Sequence, residues 1–206
     1  MKGSVKPELR FIEREMILRF LAFSGRIDYY AGNLKRFLNE FMEKHARESP
    51  NEIAVQRSMF LATMENVYTV FGEHSGRLYS AGTVERPETN GRWETKFSVS
   101  ALDIQASALI GYAPALVQAA AEQIREAYLH FILSRPDVRL AISRQPAGTS
   151  ATKTRWFAFK AEVQKLLNDI QVEPRFFDLA FRQQLYKQSH LCAICATRST
   201  LLTTAP

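Results

Sequence analysis

The chain is poor in cysteine, glycine and proline. Two cysteines among 206 residues, three positions apart, cannot build the disulfide framework of a small secreted domain. Nine glycines and eight prolines are too few for a collagen-like or low-complexity chain. No uninterrupted apolar run approaches the roughly 18 residues that a membrane helix needs. The opening Met1-Lys2-Gly3-Ser4-Val5-Lys6-Pro7-Glu8 lacks the apolar centre of a secretory signal. Together these absences predict a cytoplasmic chain with no membrane partner.

What the chain does contain is apolar and aromatic. Hydrophobic residues make up 46 %, 14 residues are phenylalanine, and 23 % are charged. That composition supports one sizeable packed domain with room for a small appendage. The net charge is +6, and its distribution is uneven. Residues 1–50 hold ten Lys/Arg against seven Asp/Glu, and residues 151–206 hold eight against four; the middle hundred hold nine against ten. Basic ends around a neutral middle permit contact with nucleic acid, and are also what ordinary helix surfaces carry.

Helical spacing dominates the pattern. Leu9, Ile12, Met16, Phe20 and Phe23 form one stripe, with Gly25 as its expected end. Leu34, Phe37, Leu38, Phe41, Met42 and His45 form a second, in which His45 extends an apolar row with no partner His or Cys nearby. Ser49-Pro50-Asn51-Glu52 reads as a capping box opening a third helix. That helix carries Ile53, Phe60, Met64, Val67 and Phe71, its Met59–Phe60–Met64 run reading as core, and Gly72 closes it. Residues 73–96 break the rhythm and read as a loop or irregular hairpin, with Leu78–Ser80 and Trp93–Phe97 as short extended pieces. Helical spacing then returns. One helix is expected from a Ser100 cap to about Ile110, one from Pro114 to about Leu133, and a short one to about Ser143. Another runs from Thr149 or Ser150 to about Asp169, and the last begins at Pro174. The expected fold is mainly α: a multi-helix bundle with one irregular excursion and an incomplete zinc-knuckle stub.

Local chemistry concentrates near the carboxyl end. A basic, aromatic helix from Phe176 runs into Cys192-Ala193-Ile194-Cys195. Two thiolates at this spacing can face one metal ion, but a zinc site takes about four ligands, and His190 is not at a usual ligand distance from Cys192. The pair is therefore half of a zinc site or a bare thiol pair; a redox pair fits less well, because such pairs open a helix after a strand. Arg175, Arg182 and Lys187 lie beside aromatics and are candidate phosphate contacts, or solvated charges on a packed helix. The acids Asp103, Glu122, Glu126, Asp137 and Glu162 show no spacing that selects a catalytic pair. No catalytic residue is assigned.

Phe181-Arg182-Gln183-Gln184-Leu185-Tyr186 followed by Leu191-Cys192-Ala193-Ile194-Cys195 resembles the entry to HNH nuclease domains. Upstream, Met16-Ile17-Leu18-Arg19-Phe20-Leu21-Ala22-Phe23 and Tyr30-Ala31-Gly32-Asn33-Leu34-Lys35-Arg36-Phe37-Leu38-Asn39-Glu40-Phe41-Met42 resemble a segment of GmrSD-type restriction-related proteins. The resemblance spans roughly residues 8–195 and is strongest at 16–42 and 176–195. It implies a ParB-like first domain, a helical region and a C-terminal HNH nuclease. The implied activity is nucleotide-stimulated cleavage of foreign DNA in anti-phage defence. DNA, a nucleotide and a divalent metal are thus expected of full-length members, and zinc at a half-site here. The sequence departs from the family in lacking the Asp-Gly-Gln-Gln-Arg-type motif, the Asp-His pair that activates water, and any family-like pattern in residues 196–206.

The expected organisation is a helical domain at 1–172, the start of an HNH domain at 173–195 and a divergent tail at 196–206, truncated at both ends. Three readings follow. The first is a fragment of a restriction-type endonuclease that does not cut DNA alone. The second is a non-enzymatic helical module that docks the missing domains or a partner chain, marked by an apolar patch near residues 9–23. The third is a zinc-dependent DNA-binding protein with ligands completed by a dimer partner.

Overall fold

The computed structural model describes residues 12–82, 84, 91–143 and 148–172. The chain divides into two units, Met1–Lys165 and Leu166–Pro206; in the second, only 166–172 are described. The fold is mainly α, as expected, with eight α-helices and one two-stranded sheet among the described residues. The predicted last helix and the cysteine pair lie outside them.

Helix α1 (Ile12–Arg26) buries Phe20, Ala22 and Phe23, so the later part of the predicted stripe faces inward; Met16 is half-buried, and Leu9 and the Ile12 side chain lie outside the described residues. Gly25 does not end it. The helix runs one residue further and tightens into a 3-10 turn at Ile27–Tyr29, because Ile27 and Tyr30 must both reach the core, where they are 6 % and 2 % exposed. Packing overrides the weak stop signal of a single glycine. Asn33 caps α2 (Leu34–His45), its side-chain oxygen accepting from the Arg36 N–H at 3.0 Å. Phe37, Leu38 and Phe41 on α2 are buried. The Phe23 ring lies 5.4 Å from Tyr30 and 5.5 Å from both Phe37 and Trp156, forming the first aromatic cluster.

Helix α3 (Pro50–Phe71) starts with the predicted capping box. The Glu52 N–H donates to Ser49 Oγ at 3.3 Å, and the Ser49 N–H donates to Glu52 Oε2 at 2.8 Å. The Ser49 N–H and the Ser49 hydroxyl, which also donates to Glu52 Oε2 at 2.8 Å, hold the Glu52 carboxyl below the usual carboxylate range. The buried side of α3 presents Thr63, Asn66, Val67, Val70 and Phe71.

The irregular excursion is a hairpin of β1 (Arg77–Ser80) and β2 (Arg92–Phe97), antiparallel, with Tyr79 opposite Trp93 and a register shift between Arg77 and Tyr79. Gly76 makes its entry possible: its φ is +70°, and a Cβ there would stand 2.2 Å from the Phe97 ring, so only glycine fits. Gln105 fixes the entry from below, accepting from the Gly76 N–H at 2.7 Å and donating to the Arg77 carbonyl at 3.3 Å. Trp93 is sandwiched between His74 and Tyr128, with ring centroids 4.6 Å and 5.8 Å away and planes within 5°.

Two expected boundaries move. Helix α4 (Val99–Leu109) is capped by Ser98, whose Oγ accepts from Ala101 N–H at 3.3 Å; Ser100 is buried within the first turn. The helix expected from Pro114 to Leu133 is two, α5 (Pro114–Ala119) and α6 (Ala121–Ser134), broken at Ala120. Val117, Ala120 and Ile124 are all fully buried, and the break lets residues on both pieces enter the core. Helix α7 (Pro136–Ser143) agrees with the expected short helix, and α8 (Thr149–Val172) follows.

On α8, Trp156 joins the first aromatic cluster. Phe159 joins a second, 5.3 Å from Tyr128 and 5.2 Å from Phe131. Arg155, next to Trp156 in the chain, is fully buried. Its guanidinium donates to the Ala141 carbonyl at 2.8 Å and to Thr152 Oγ1 at 3.2 Å, supplying a donor to the last turn of α7, where carbonyls lack helical partners. Burial pushes the Arg155 pKa below its usual value; Asp103 counteracts this and Arg19 adds to it.

Arg19 on α1 and Asp103 on α4 form a buried ion pair across 84 residues. Arg19 Nε lies 3.2 Å and 3.1 Å from the two carboxylate oxygens, and Nη2 lies 2.7 Å from Oδ2. Both residues are 8 % exposed. Asp103→Ala strands the guanidinium, and we expect a loss of about 3–5 kcal/mol in urea denaturation. The double variant Arg19→Met/Asp103→Leu should recover most of that loss, since a fitted apolar pair avoids both desolvation penalties. If the double variant is no better than the single one, the pair is not acting as a buried charge couple.

Burial raises the Tyr128 pKa well above the ordinary phenol value. The folded chain then keeps a proton that the unfolded chain releases above about pH 10. Stability should therefore be complete below that pH and fall as pH rises through it. Tyr128→Phe should flatten this alkaline limb, measured as denaturation midpoint against pH.

Candidate functional site

Helix α1 turns two edges toward neighbours. One edge, with Phe23, enters the aromatic core. The other, with Met16, Ile17 and Phe20, faces Phe60 and Met64 of α3 and Leu102 and Ala106 of α4, and with Trp156 they enclose a groove of about 220 Å³. Its wall is built by local helical rules: 16 and 20 are one turn apart on α1, 60 and 64 on α3, and 102 and 106 on α4. Phe20 and Phe60 meet edge to face at 5.4 Å. Ile17 stands at the rim, 41 % exposed, and the two charged residues of the lining are Glu13 and Asp103, the latter with its carboxylate held by Arg19. The ion pair fixes the α1–α4 spacing while leaving the lining almost wholly apolar.

Size limits what the groove can take. An engineered apolar cavity of about 150 Å³ holds benzene, and pockets for drug-sized ligands start near 300 Å³. About 220 Å³ therefore suits one aromatic or branched side chain better than a cofactor. The lining offers no nucleophile beside a base and no phosphate cradle.

A second depression of about the same volume lies at the other end of α1, lined by the apolar Leu21, Phe41 and Met59 together with Ser24, Gly25, Arg26, Lys44, His45 and Gln56. His45 stacks on Phe41 with centroids 4.1 Å apart, and its Nδ1 is 2.5 Å from Glu48 Oε1. Gln56 donates to the same oxygen at 2.6 Å. Half-buried His45 thus acts as a clip between the end of α2 and the start of α3, consistent with a histidine at the edge of an apolar row.

Arg175, Arg182, Lys187, Cys192 and Cys195 lie outside the described residues. Among the described residues no group of three or more His, Cys, Asp or Glu is placed to hold a metal. Met59, Phe60 and Met64, read from the sequence as core, are half-buried and line the two depressions instead. The sequence reading missed Arg19. The signal was present: an arginine one residue before Phe20, within an apolar face, must find a buried carboxylate.

Comparison with known proteins finds no matching family model, curated protein or solved structure.

The groove is testable with an apolar probe and methionine methyl resonances. Titration with toluene should shift the methyl signals of Met16 and Met64 and leave that of Met42 in place. Ala106→Phe, which places a ring in the groove, should remove the response. Unmoved Met16 and Met64 signals in the folded protein would count against an accessible groove.

Proposed function

We propose that this chain is the helical part and the HNH entry of a restriction-type DNA endonuclease resembling the GmrSD kind. Its helical body serves as a non-catalytic docking module. The observation that carries the reading is a coincidence of place. One of the two stretches with the strongest resemblance, 16–42, supplies the α1 wall of the groove, Met16, Ile17 and Phe20. An apolar groove sized for one side chain is what a docked domain of the same assembly would use, with its apolar residue as the occupant.

In this reading the DNA chemistry belongs to residues 173–195. Cys192 and Cys195 supply two of the thiolates that hold zinc. Arg175, Arg182 and Lys187 meet backbone phosphates, which position a nuclease without reading sequence. Hydrolysis in such a nuclease depends on a histidine that activates water beside a divalent ion. The Asp-His pair that the resemblance calls for does not occur among these 206 residues, so the chain alone should leave DNA intact.

Supercoiled plasmid incubated with the purified chain and Mg²⁺, Mn²⁺ or Ni²⁺ should stay uncut, and metal analysis should find well under one tightly held zinc per chain. Nicking that co-purifies with the chain through successive columns refutes the proposal. Stoichiometric zinc that disappears in Cys192→Ser supports instead a complete zinc centre and a DNA-binding protein.

A further inference from the structure

Helix α3 also carries exposed apolar residues on the side away from the core. One side enters the core, as described above. On the other, Ala54, Arg57, Leu61, Glu65 and Tyr68 are exposed and follow at three- and four-residue steps along a single line, with exposed Ser58 beside it. Leu61 and Tyr68 are 53 % and 70 % exposed. Isolated exposed apolar residues need no explanation, but these lie on one ridge, and Ile53 and Ile17, 54 % and 41 % exposed, widen it toward the groove.

The ridge is self-complementary about Leu61. Arg57 and Glu65 lie equally far before and after it, and so do Ala54 and Tyr68. A second α3 laid antiparallel with its own Leu61 at the crossing brings Arg57 opposite Glu65 twice. It also brings the small Ala54 opposite the large Tyr68 twice. On one helix Arg57 and Glu65 are about 12 Å apart along the axis, too far to pair. Among the described residues neither takes part in an ion pair. Ser58 and Ala62, flanking Leu61, let the two backbones approach closely.

We propose that the outer face of α3 is a homodimer interface, formed by two copies of this chain crossing antiparallel on a two-fold axis at Leu61. Such an interface is isologous, each contact occurring twice. The 22-residue helix is about 33 Å long. The inference does not rest on the nuclease reading.

Sedimentation of the full chain should show a concentration-dependent dimer. Arg57→Glu alone and Glu65→Arg alone should each weaken it at least tenfold, because each creates two like-charge contacts. The double variant Arg57→Glu/Glu65→Arg should restore it to within about threefold of the parent. In a Cys192→Ser/Cys195→Ser background, Leu61→Cys should form a disulfide-linked dimer under mild oxidation, whereas Ala54→Cys, away from the axis, should not. Circular dichroism checks that each variant is folded. A chain that stays monomeric, a dimer indifferent to the charge swaps, or one lost in the cysteine-free background overturns the proposal; the last outcome assigns dimerisation to the thiol pair.

Discussion

The Arg19–Asp103 pair is the constraint on which the arrangement of helices depends. Two ionised side chains at 8 % exposure each carry a desolvation penalty of several kcal/mol, and only close, multiply bonded contact offsets it. The guanidinium meets both carboxylate oxygens and lies over the Phe23 ring at 5.2 Å. A buried pair tolerates little displacement, since a gap leaves both charges in a low dielectric. Helix α1 is therefore held against α4 at one spacing, and that spacing sets the width of the groove. A purely apolar contact would allow sliding at smaller cost. The ion pair thus contributes more to specifying the geometry than to net stability.

Around that pair the core is divided and then rejoined. The cluster of Phe23, Tyr30, Phe37 and Trp156 ties α1 and α2 to α8. The cluster of Phe71, Trp93, Tyr128 and Phe159 ties α3, the hairpin and α6 to the same helix. Trp156 and Phe159 are three residues apart, on one face of α8, and Arg155 sends its charge to the open end of α7. One helix thus passes through both clusters, and aromatic edge-to-face contacts, each worth about 0.5–1.5 kcal/mol beyond area, make the two halves cooperative. The hairpin has little stability of its own at two strands. It is held from outside by Gln105 and by His74 and Tyr128, which stack on its Trp93.

The sequence made the helical class, the capping box at Ser49 and the hairpin legible, because each is written in nearby residues. The stripe of Met16, Phe20 and Phe23 and the interruption at Gly76, Gly82 and Gly91 are signals of this kind. What stayed hidden is non-local. Gly25 looked like a stop because the burial of Ile27 and Tyr30 cannot be read from a helical period. The break at Ala120 carries no glycine or proline, and follows from three residues competing for the same core. Ser98 and Ser100 are equally good caps by chemistry, and only the packing of Ser100 decides between them. The groove was legible in part: its α1 wall falls in the stretch where an apolar patch was expected, but its α3 wall was read as core. The candidate metal and phosphate residues are a different case, since the described fold ends before them.

The groove and the α3 ridge share a rim but ask for different partners, and charge separates them. Apolar area provides attraction without register, because an alkyl surface slides at little cost. The groove needs no register beyond its own walls, which leave room for about one side chain. The open ridge does need it, and Arg57 and Glu65 are the only charges along its central line. Two copies placed parallel would set Arg57 against Arg57 and Glu65 against Glu65, while a shift of one turn would break both favourable pairs. Exposed ion pairs contribute only about 0–1 kcal/mol each, yet the difference between two attractive and two repulsive contacts is enough to select an orientation. Area and specificity are thus carried by different residues of the same helix.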